Sequence, residues 1–127
     1  LPEKTRKACL YALDKSKDNK SLVINIALNY GGRDEIVHAF KNIMKKGYGA
    51  DDITEELIAE NLYTKGQSDP DLLIRPGGEL RLSNFLIYQL AYTELYFTDC
   101  LWPDFTEDDL REAIIAFIKR DRRYGGL

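Results

Sequence analysis

The chain has 127 residues, 44% of them hydrophobic and 31% charged, enough apolar material for one packed core and enough charge for a solvated surface. That excludes a disordered tail, a collagen-like fibre and a disulfide miniprotein. The net charge of −3 leaves no overall positive field, so nucleic acid is not an expected partner.

In chain order, residues 2–15 predict a helix: Pro2 suits the first turn, and Thr5, Ala8, Cys9, Ala12 and Leu13 recur at helical spacing. Leu22 to Asn29 is an apolar, β-branched run bounded by a polar loop and Gly31-Gly32, and predicts a buried, parallel strand. Residues 33–46 predict a helix with Ile36, Val37, Phe40, Ile43 and Met44 facing inward, closed by Lys45, Lys46 and Gly47. Thr54 caps a second helix beginning Glu55-Glu56, with Leu57, Ile58 and Leu62 inward. Asp71 to Arg75 predicts a short strand stopped by Pro76-Gly77-Gly78. Ser83 or Asn84 is expected to cap a helix reaching about Tyr92, and Leu95 to Thr98 predicts a third strand. After a turn at Trp102 to Phe105, Thr106 opens the clearest helix. Its start carries Glu107, Asp108 and Asp109, its end is basic, and Leu110, Ala113, Ile114, Phe117 and Ile118 form the expected buried face. Strands alternating with helices predict an α/β fold, a mainly parallel sheet with flanking helices.

Cys9 and Cys100 are too few and too far apart for a secreted disulfide framework, and read as semi-buried thiols of a reducing, cytoplasmic compartment. The longest apolar stretch, residues 85–97, is broken by Gln89, Thr93 and Glu94 and is not expected to span a bilayer.

In an open parallel sheet, ligands bind beyond the carboxyl ends of the strands. Arg75-Pro76-Gly77-Gly78-Glu79-Leu80-Arg81-Leu82-Ser83-Asn84 falls there. A strand ends in one arginine, a glycine turn lets backbone approach a ligand, a second arginine follows, and a hydroxyl sits where a helix is expected to start. Guanidinium groups pair bidentately with phosphate oxygens, and helix amides add donors. Those parts suit a diphosphate. A plain turn, with both arginines in surface ion pairs, weighs equally from spacing alone. Glu94 lies between aromatic-rich stretches, where a carboxylate is costly unless paired or metal-bound. Taken alone, it reads rather as a helix-end glutamate at the surface. His38, the single histidine, lies off the apolar stripe of its helix and reads as exposed rather than as a general base.

The chain resembles the cis-prenyltransferases, most closely the bacterial undecaprenyl diphosphate synthases. The matching text is Arg75-x-Gly77-Gly78-Glu79-x-Arg81-Leu82-Ser83-Asn84-Phe85, Gln89-x-Ala91-Tyr92-x-Glu94-Leu95-Tyr96-Phe97 and Leu101-Trp102-Pro103-Asp104-Phe105. Ala27 to Arg33 and Arg123-Tyr124-Gly125-Gly126 match as well. The resemblance implies condensation of isopentenyl diphosphate with an allylic diphosphate such as farnesyl diphosphate, assisted by Mg²⁺, to give undecaprenyl or a related polyprenyl diphosphate. It assigns Arg75, Arg81, Ser83, Gly77, Gly78 and Asn29 to substrate binding and Glu94 to catalysis and the metal. It places Arg123 and Gly125 across a homodimer interface, and implies peripheral membrane contact through the lipid product.

Two departures stand out. Leu80 occupies a position where many relatives have histidine. The family's N-terminal Met-Asp-Gly-Asn motif, whose Asp is a metal and diphosphate centre, is absent from this sequence. Residues 1–127 are therefore expected to be the C-terminal portion of one cis-prenyltransferase domain, inactive without the other half. A non-catalytic partner subunit is the alternative, disfavoured because such partners tend to lose the arginine-serine site that is intact here.

Overall fold

The computed structural model describes residues 1–121, divided into two units, Leu1–Tyr30 and a second from Gly31 onward. In the first unit, α1 runs Glu3–Ser16 behind Pro2, as its spacing predicts. Ion pairs at helical separation tie Glu3 to Arg6 and Lys7, and Asp14 to Lys17. The predicted strand at Leu22 to Asn29 does not form: these residues join no sheet among the described residues, and Leu22, Val23, Ile24 and Ile26 are 72–76% exposed. β-Branched composition favours extended backbone, but a strand also needs a neighbour to take its N–H and C=O groups. Asn29 adopts a left-handed conformation, φ 53°, which asparagine tolerates better than most residues.

The second unit opens with α2, Gly32–Lys45. Its first amides are capped from far along the chain. The Asn84 carbonyl accepts from the Gly32 N–H at 2.8 Å, and Asn84 Oδ1 accepts from the Arg33 N–H at 2.9 Å. A Cβ on Gly32 would lie 2.8 Å from Ile87 Cγ1 and 3.2 Å from the Asn84 carbonyl oxygen. Gly32→Ala is therefore expected to cost about 1–2 kcal/mol, measured as a fall in the urea midpoint.

The inward face of α2 differs from expectation. Glu35, Ala39 and Ile43 are buried, whereas Val37, Phe40 and Met44 are exposed, Met44 by 63%. Apolar residues occupy two faces of this helix, and only one is fully buried among the described residues. Glu35 is the centre of a polar cluster. Its Oε1 accepts from the Tyr63 N–H at 2.7 Å, and Gln89 Nε2 donates to both carboxylate oxygens at 3.2 and 3.3 Å and to Thr64 Oγ1 at 3.0 Å. Gln89 Oε1 is buried without a hydrogen-bond partner among the described residues.

Helix α3, Glu55–Ala59, starts at Thr54, whose hydroxyl accepts from the Leu57 N–H. Leu57 and Ile58 are half-buried and Leu62 is buried, matching the expected face. Strands β1, Leu72–Arg75, and β2, Glu94–Phe97, pair in parallel, Leu72 beside Glu94 and Arg75 beside Phe97. The parallel sheet is thus present with two strands rather than three among the described residues.

The crossover between β1 and β2 is not the helix expected from Ser83 or Asn84. It is a succession of turns, because Ser83, Asn84 and Leu86 have φ of 49°, 65° and 42°, values that break a right-handed helix. Asn84 caps α2 instead of a helix of its own.

Helix α4, Glu107–Ile118, begins as predicted, with a capping box. Thr106 Oγ1 accepts from the Asp109 N–H, and Asp109 Oδ2 accepts from Thr106 N–H and O–H at 2.7 and 2.6 Å. Of its expected inner face, Ala113 is buried and Phe117 half-buried, while Leu110, Ile114 and Ile118 are exposed. The Thr106 side chain and backbone hold the Asp109 carboxyl below its ordinary value of 3.8. Its contribution is complete above that value and fades as pH falls through the lowered one. The stability gap between the protein and Thr106→Val is expected to narrow in acid, followed by urea midpoints from pH 6 to pH 2.

Candidate active site

The residues expected to hold a diphosphate cluster at the carboxyl end of β1. Arg75 ends the strand, and its Nη1 donates to the Arg81 carbonyl and, at 3.0 Å, to Ser83 Oγ. One guanidinium therefore folds the Glu79–Ser83 loop back on itself, holding the Arg81 backbone carbonyl and the Ser83 hydroxyl at Arg75. Glu79 stands 2.5 Å from the Arg81 guanidinium, an anion already seated on that arginine. Both side chains are well exposed, so the pair is weakly held and exchangeable.

The glycines play a different part from the one expected. The Gly77 and Gly78 N–H groups donate to the carbonyls of Cys100 and Thr98 at 2.8 and 2.9 Å, tying this turn to the residues that follow β2. Both have positive φ, 94° and 72°, and a Cβ on Gly78 would lie 3.1 Å from Asp99 Oδ1. They shape the turn, but their amides are already used inside the chain. With no helix start at Ser83 either, the donors this loop leaves for a ligand would be side chains: two guanidiniums and a hydroxyl.

Beside these donors lies an open cleft of about 330 Å³, lined by Leu73, Ile74, Pro76, Leu82, Phe85 and Trp102 with Arg75. Trp102 stacks on Phe105 with ring centroids 6.0 Å apart. A cationic corner beside an apolar cleft suits a ligand with an anionic head and a hydrocarbon body. Leu80 is exposed at the edge of this loop and offers no proton-transferring group.

Glu94 lies elsewhere. It begins β2 opposite Leu72, whereas the arginine corner is at Arg75 and Phe97, about 10 Å further along the strands. Its Oε2 accepts from Arg120 Nη1 at 2.7 Å. A Mg²⁺ ion takes one or two carboxylates plus substrate oxygens. A cation at Glu94 Oε2 would meet a guanidinium, and no group of three His, Cys, Asp or Glu suited to a metal occurs among the described residues. Glu94 thus brings one carboxylate, itself paired with Arg120, and further cation ligands would come from substrate oxygens or from outside the described residues.

Asn29 belongs to the first unit. Arg123 and Gly125 lie outside the described residues. His38 is exposed, hydrogen-bonded to Asn42 and 5.1 Å from the Tyr63 ring. Both cysteines are free thiols, and desolvation, reinforced by Asp109 and Asp104, raises the Cys100 thiol above its ordinary value. A raised thiol is a poor nucleophile. No helix among the described residues is long and apolar enough to cross a membrane.

Residues 1–125 match the family profile described as "Putative undecaprenyl diphosphate synthase". The chain belongs to the undecaprenyl diphosphate synthase family. Relatives in this family include the isoprenyl transferase of Clostridium perfringens, 52% identical across all of this chain and 52% of the relative. That of Geobacillus kaustophilus is 56% identical across all of this chain and 51% of the relative. The chain spans about half the length of these curated relatives. Among solved structures it resembles lavandulyl diphosphate synthase from Lavandula x intermedia in complex with dimethylallyl diphosphate. There the TM-score is 0.92, with 41% identity over 99% of this chain and 56% of that one. It also resembles a probable undecaprenyl diphosphate synthase from Campylobacter jejuni, with a TM-score of 0.84 and 35% identity over 99% of this chain and 58% of that one. The α/β fold with a parallel sheet is therefore the family's own.

Proposed function

We propose that the protein carrying this sequence is a cis-prenyltransferase that joins isopentenyl diphosphate to an allylic diphosphate, farnesyl diphosphate being the expected acceptor. The observation that carries this reading is the corner at the end of β1, where Arg75 gathers Ser83 and Arg81 beside an apolar cleft. In this proposal Arg75, Arg81 and Ser83 hold the diphosphate of isopentenyl diphosphate, which is kept through the reaction, and Glu79 is displaced from Arg81 as that anion enters. Fixing the head aims the homoallylic double bond at the allylic carbon, and such orientation supplies much of the rate. A carbon–carbon bond forms, the allylic carbon–oxygen bond breaks with its electron pair leaving on diphosphate, and a proton is lost from the isopentenyl unit.

Mg²⁺ is the proposed cofactor and would neutralise charge on the departing diphosphate. By resemblance its principal ligand is the Asp of the Met-Asp-Gly-Asn motif, and Glu94 is the residue of this chain proposed to help hold the metal in catalysis. We further propose that residues 1–127 form the C-terminal part of the domain, that the protein is a homodimer completed through Arg123 and Gly125, and that Asn29 contributes to substrate binding. Undecaprenyl diphosphate or a related polyprenyl diphosphate is the proposed product, with cell wall biogenesis its setting. Cytoplasmic residence and peripheral membrane contact through the product complete the proposal.

Calorimetry on the protein, titrating isopentenyl diphosphate against inorganic phosphate, tests the site. Binding of the isopentenyl compound at least tenfold tighter is expected, because the cleft takes its hydrocarbon part. Equal, weak binding of both would make the arginine loop a plain turn. The 127-residue chain alone is expected to show no turnover with farnesyl and isopentenyl diphosphates.

A further inference from the structure

Asn84 joins the loop that carries the binding corner to the start of α2, and it has no part in the proposed chemistry. It follows Ser83 directly, yet its hydrogen bonds run to residues 32 and 33. The Gly32 N–H donates to its carbonyl at 2.8 Å, and the Arg33 N–H donates to its Oδ1 at 2.9 Å. The first amides of a helix lack partners within the helix, and Gly31, which precedes α2, has no side chain to supply one. Asn84 supplies both acceptors. The helix it holds is itself fixed, with Glu35, Ala39 and Ile43 buried along its length.

Ser83 and Asn84 have φ of 49° and 65°, in the left-handed region that residues with a side chain avoid. Two such residues in succession persist only where their surroundings over-determine them. Here Arg75 Nη1 holds Ser83 Oγ at 3.0 Å on one side, and the start of α2 holds Asn84 on the other. We infer that Asn84 is a positioning residue for the proposed isopentenyl diphosphate site: by clamping the loop to the first amides of α2, it keeps Ser83 left-handed and its hydroxyl beside Arg75. Asparagine suits the task because it tolerates the left-handed region and its short side chain carries an acceptor. Released from α2, Ser83 relaxes toward ordinary backbone angles and its hydroxyl turns away from the corner. The effect on substrate rests on that proposed site; the clamp itself rests on the hydrogen bonds.

Gly31 allows the clamp to be loosened from its far side. Its φ of −151° is extended backbone that any residue adopts. Beyond its own chain neighbours, a Cβ there would meet the Asn84 side chain, 2.8 Å from Nδ2 and 3.9 Å from Cγ, and nothing else within 4 Å among the described residues. Gly31→Ala therefore pushes that side chain off the Arg33 N–H at little cost in stability. Asn84→Gly keeps the carbonyl and accepts the left-handed backbone freely, so it removes the side chain alone. The test uses the whole protein with Asn84→Gly, Gly31→Ala, Ser83→Ala and Arg81→Ala, and with two doubles that add Asn84→Gly to Gly31→Ala and to Ser83→Ala. Three readouts are compared: isopentenyl diphosphate affinity by calorimetry, KM for each substrate, and the urea midpoint.

Ser83→Ala is expected to weaken isopentenyl diphosphate binding about tenfold, Asn84→Gly about fivefold and Gly31→Ala about threefold. KM for isopentenyl diphosphate is expected to rise with them, while KM for farnesyl diphosphate and the urea midpoint of Gly31→Ala stay close to the parent's. Each double is expected to be no worse than its stronger single variant, as for residues acting through one contact. If Asn84→Gly and Gly31→Ala lower the urea midpoint and leave affinity intact, Asn84 is a structural cap alone and the inference fails. Losses that multiply when Asn84→Gly is added to Ser83→Ala mean that Asn84 meets the ligand itself, and also overturn it. Should Asn84→Gly fold poorly, full affinity in Gly31→Ala would overturn it alone. Loss of affinity in Ser83→Ala and Arg81→Ala with none in Asn84→Gly removes the role of Asn84 but keeps the site. Unchanged affinity in both Ser83→Ala and Arg81→Ala overturns the reading of the site, and the positioning role with it.

Discussion

Arg75→Ala in the whole protein is expected to weaken isopentenyl diphosphate binding about a hundredfold, which corresponds to about 2.7 kcal/mol. Two losses add. A guanidinium has five N–H donors, and those not used on Arg81 and Ser83 remain for phosphate oxygens. Hydrogen bonds to charged groups contribute about 1.5–3 kcal/mol each. The same side chain also folds the Glu79–Ser83 loop, so its removal lets Arg81 and Ser83 drift from the corner. Arg75→Lys is expected to recover little, since a point charge cannot hold a carbonyl, a hydroxyl and a diphosphate in one plane. Calorimetry measures the affinity, and a urea midpoint close to the parent's separates this from unfolding. A change of less than threefold would remove Arg75 from the proposed site.

The largest effect on stability is expected at Glu35. It is 1% exposed, and its carboxylate accepts from the Tyr63 N–H and from Gln89 Nε2. Glu35→Ala leaves those donors facing a void, and breaking such a buried network by deleting one partner costs about 3 kcal/mol. Glu35→Gln keeps one acceptor oxygen for Tyr63 but sets an amide NH₂ against that of Gln89, so about half the loss is expected. Urea denaturation, with the denaturant slope checked for constancy, gives the difference. A loss below 1 kcal/mol for Glu35→Ala would mean that the cluster rearranges around the gap.

The elements that were legible in the sequence are those set by local chemistry. Helix α2 begins and ends within a residue of expectation, because Gly31-Gly32 and Lys45 to Gly47 punctuate it. The acidic start of α4 announced its cap, and Pro76-Gly77-Gly78 marked the end of β1. Whatever depends on distant partners was not legible. Leu22 to Asn29 has strand composition but no strand beside it among the described residues. Glu35 carries no signal of burial in the residue pattern, and only its contacts with Tyr63 and Gln89 show it inside. Asn84 reads as the cap of its own helix until Gly32 and Arg33 are found on it.

The candidate site divides in the same way. Arg75, Arg81 and Ser83 lie within nine consecutive residues, so their meeting was readable. The distance between Glu94 and that corner follows from the register of two strands, which no spacing within one strand contains. The grip of Arg120 on Glu94 spans 26 positions and left no mark in the residue pattern.

Residues 76–93, which join the two parallel strands, contain Gly77, Gly78, Arg81, Ser83 and Asn84, and Arg75 is the residue just before them. The loop that must close for β1 to find β2 is therefore the loop that makes the binding corner. Its closure entropy is lost once, and sheet and corner form or melt as a single cooperative event. An anion bound as proposed at Arg75 and Arg81 is therefore expected to act as a folding ligand for the sheet. It is expected to raise the melting temperature by mass action and to slow amide exchange at Gly77 and Gly78, whose N–H groups bond the residues after β2.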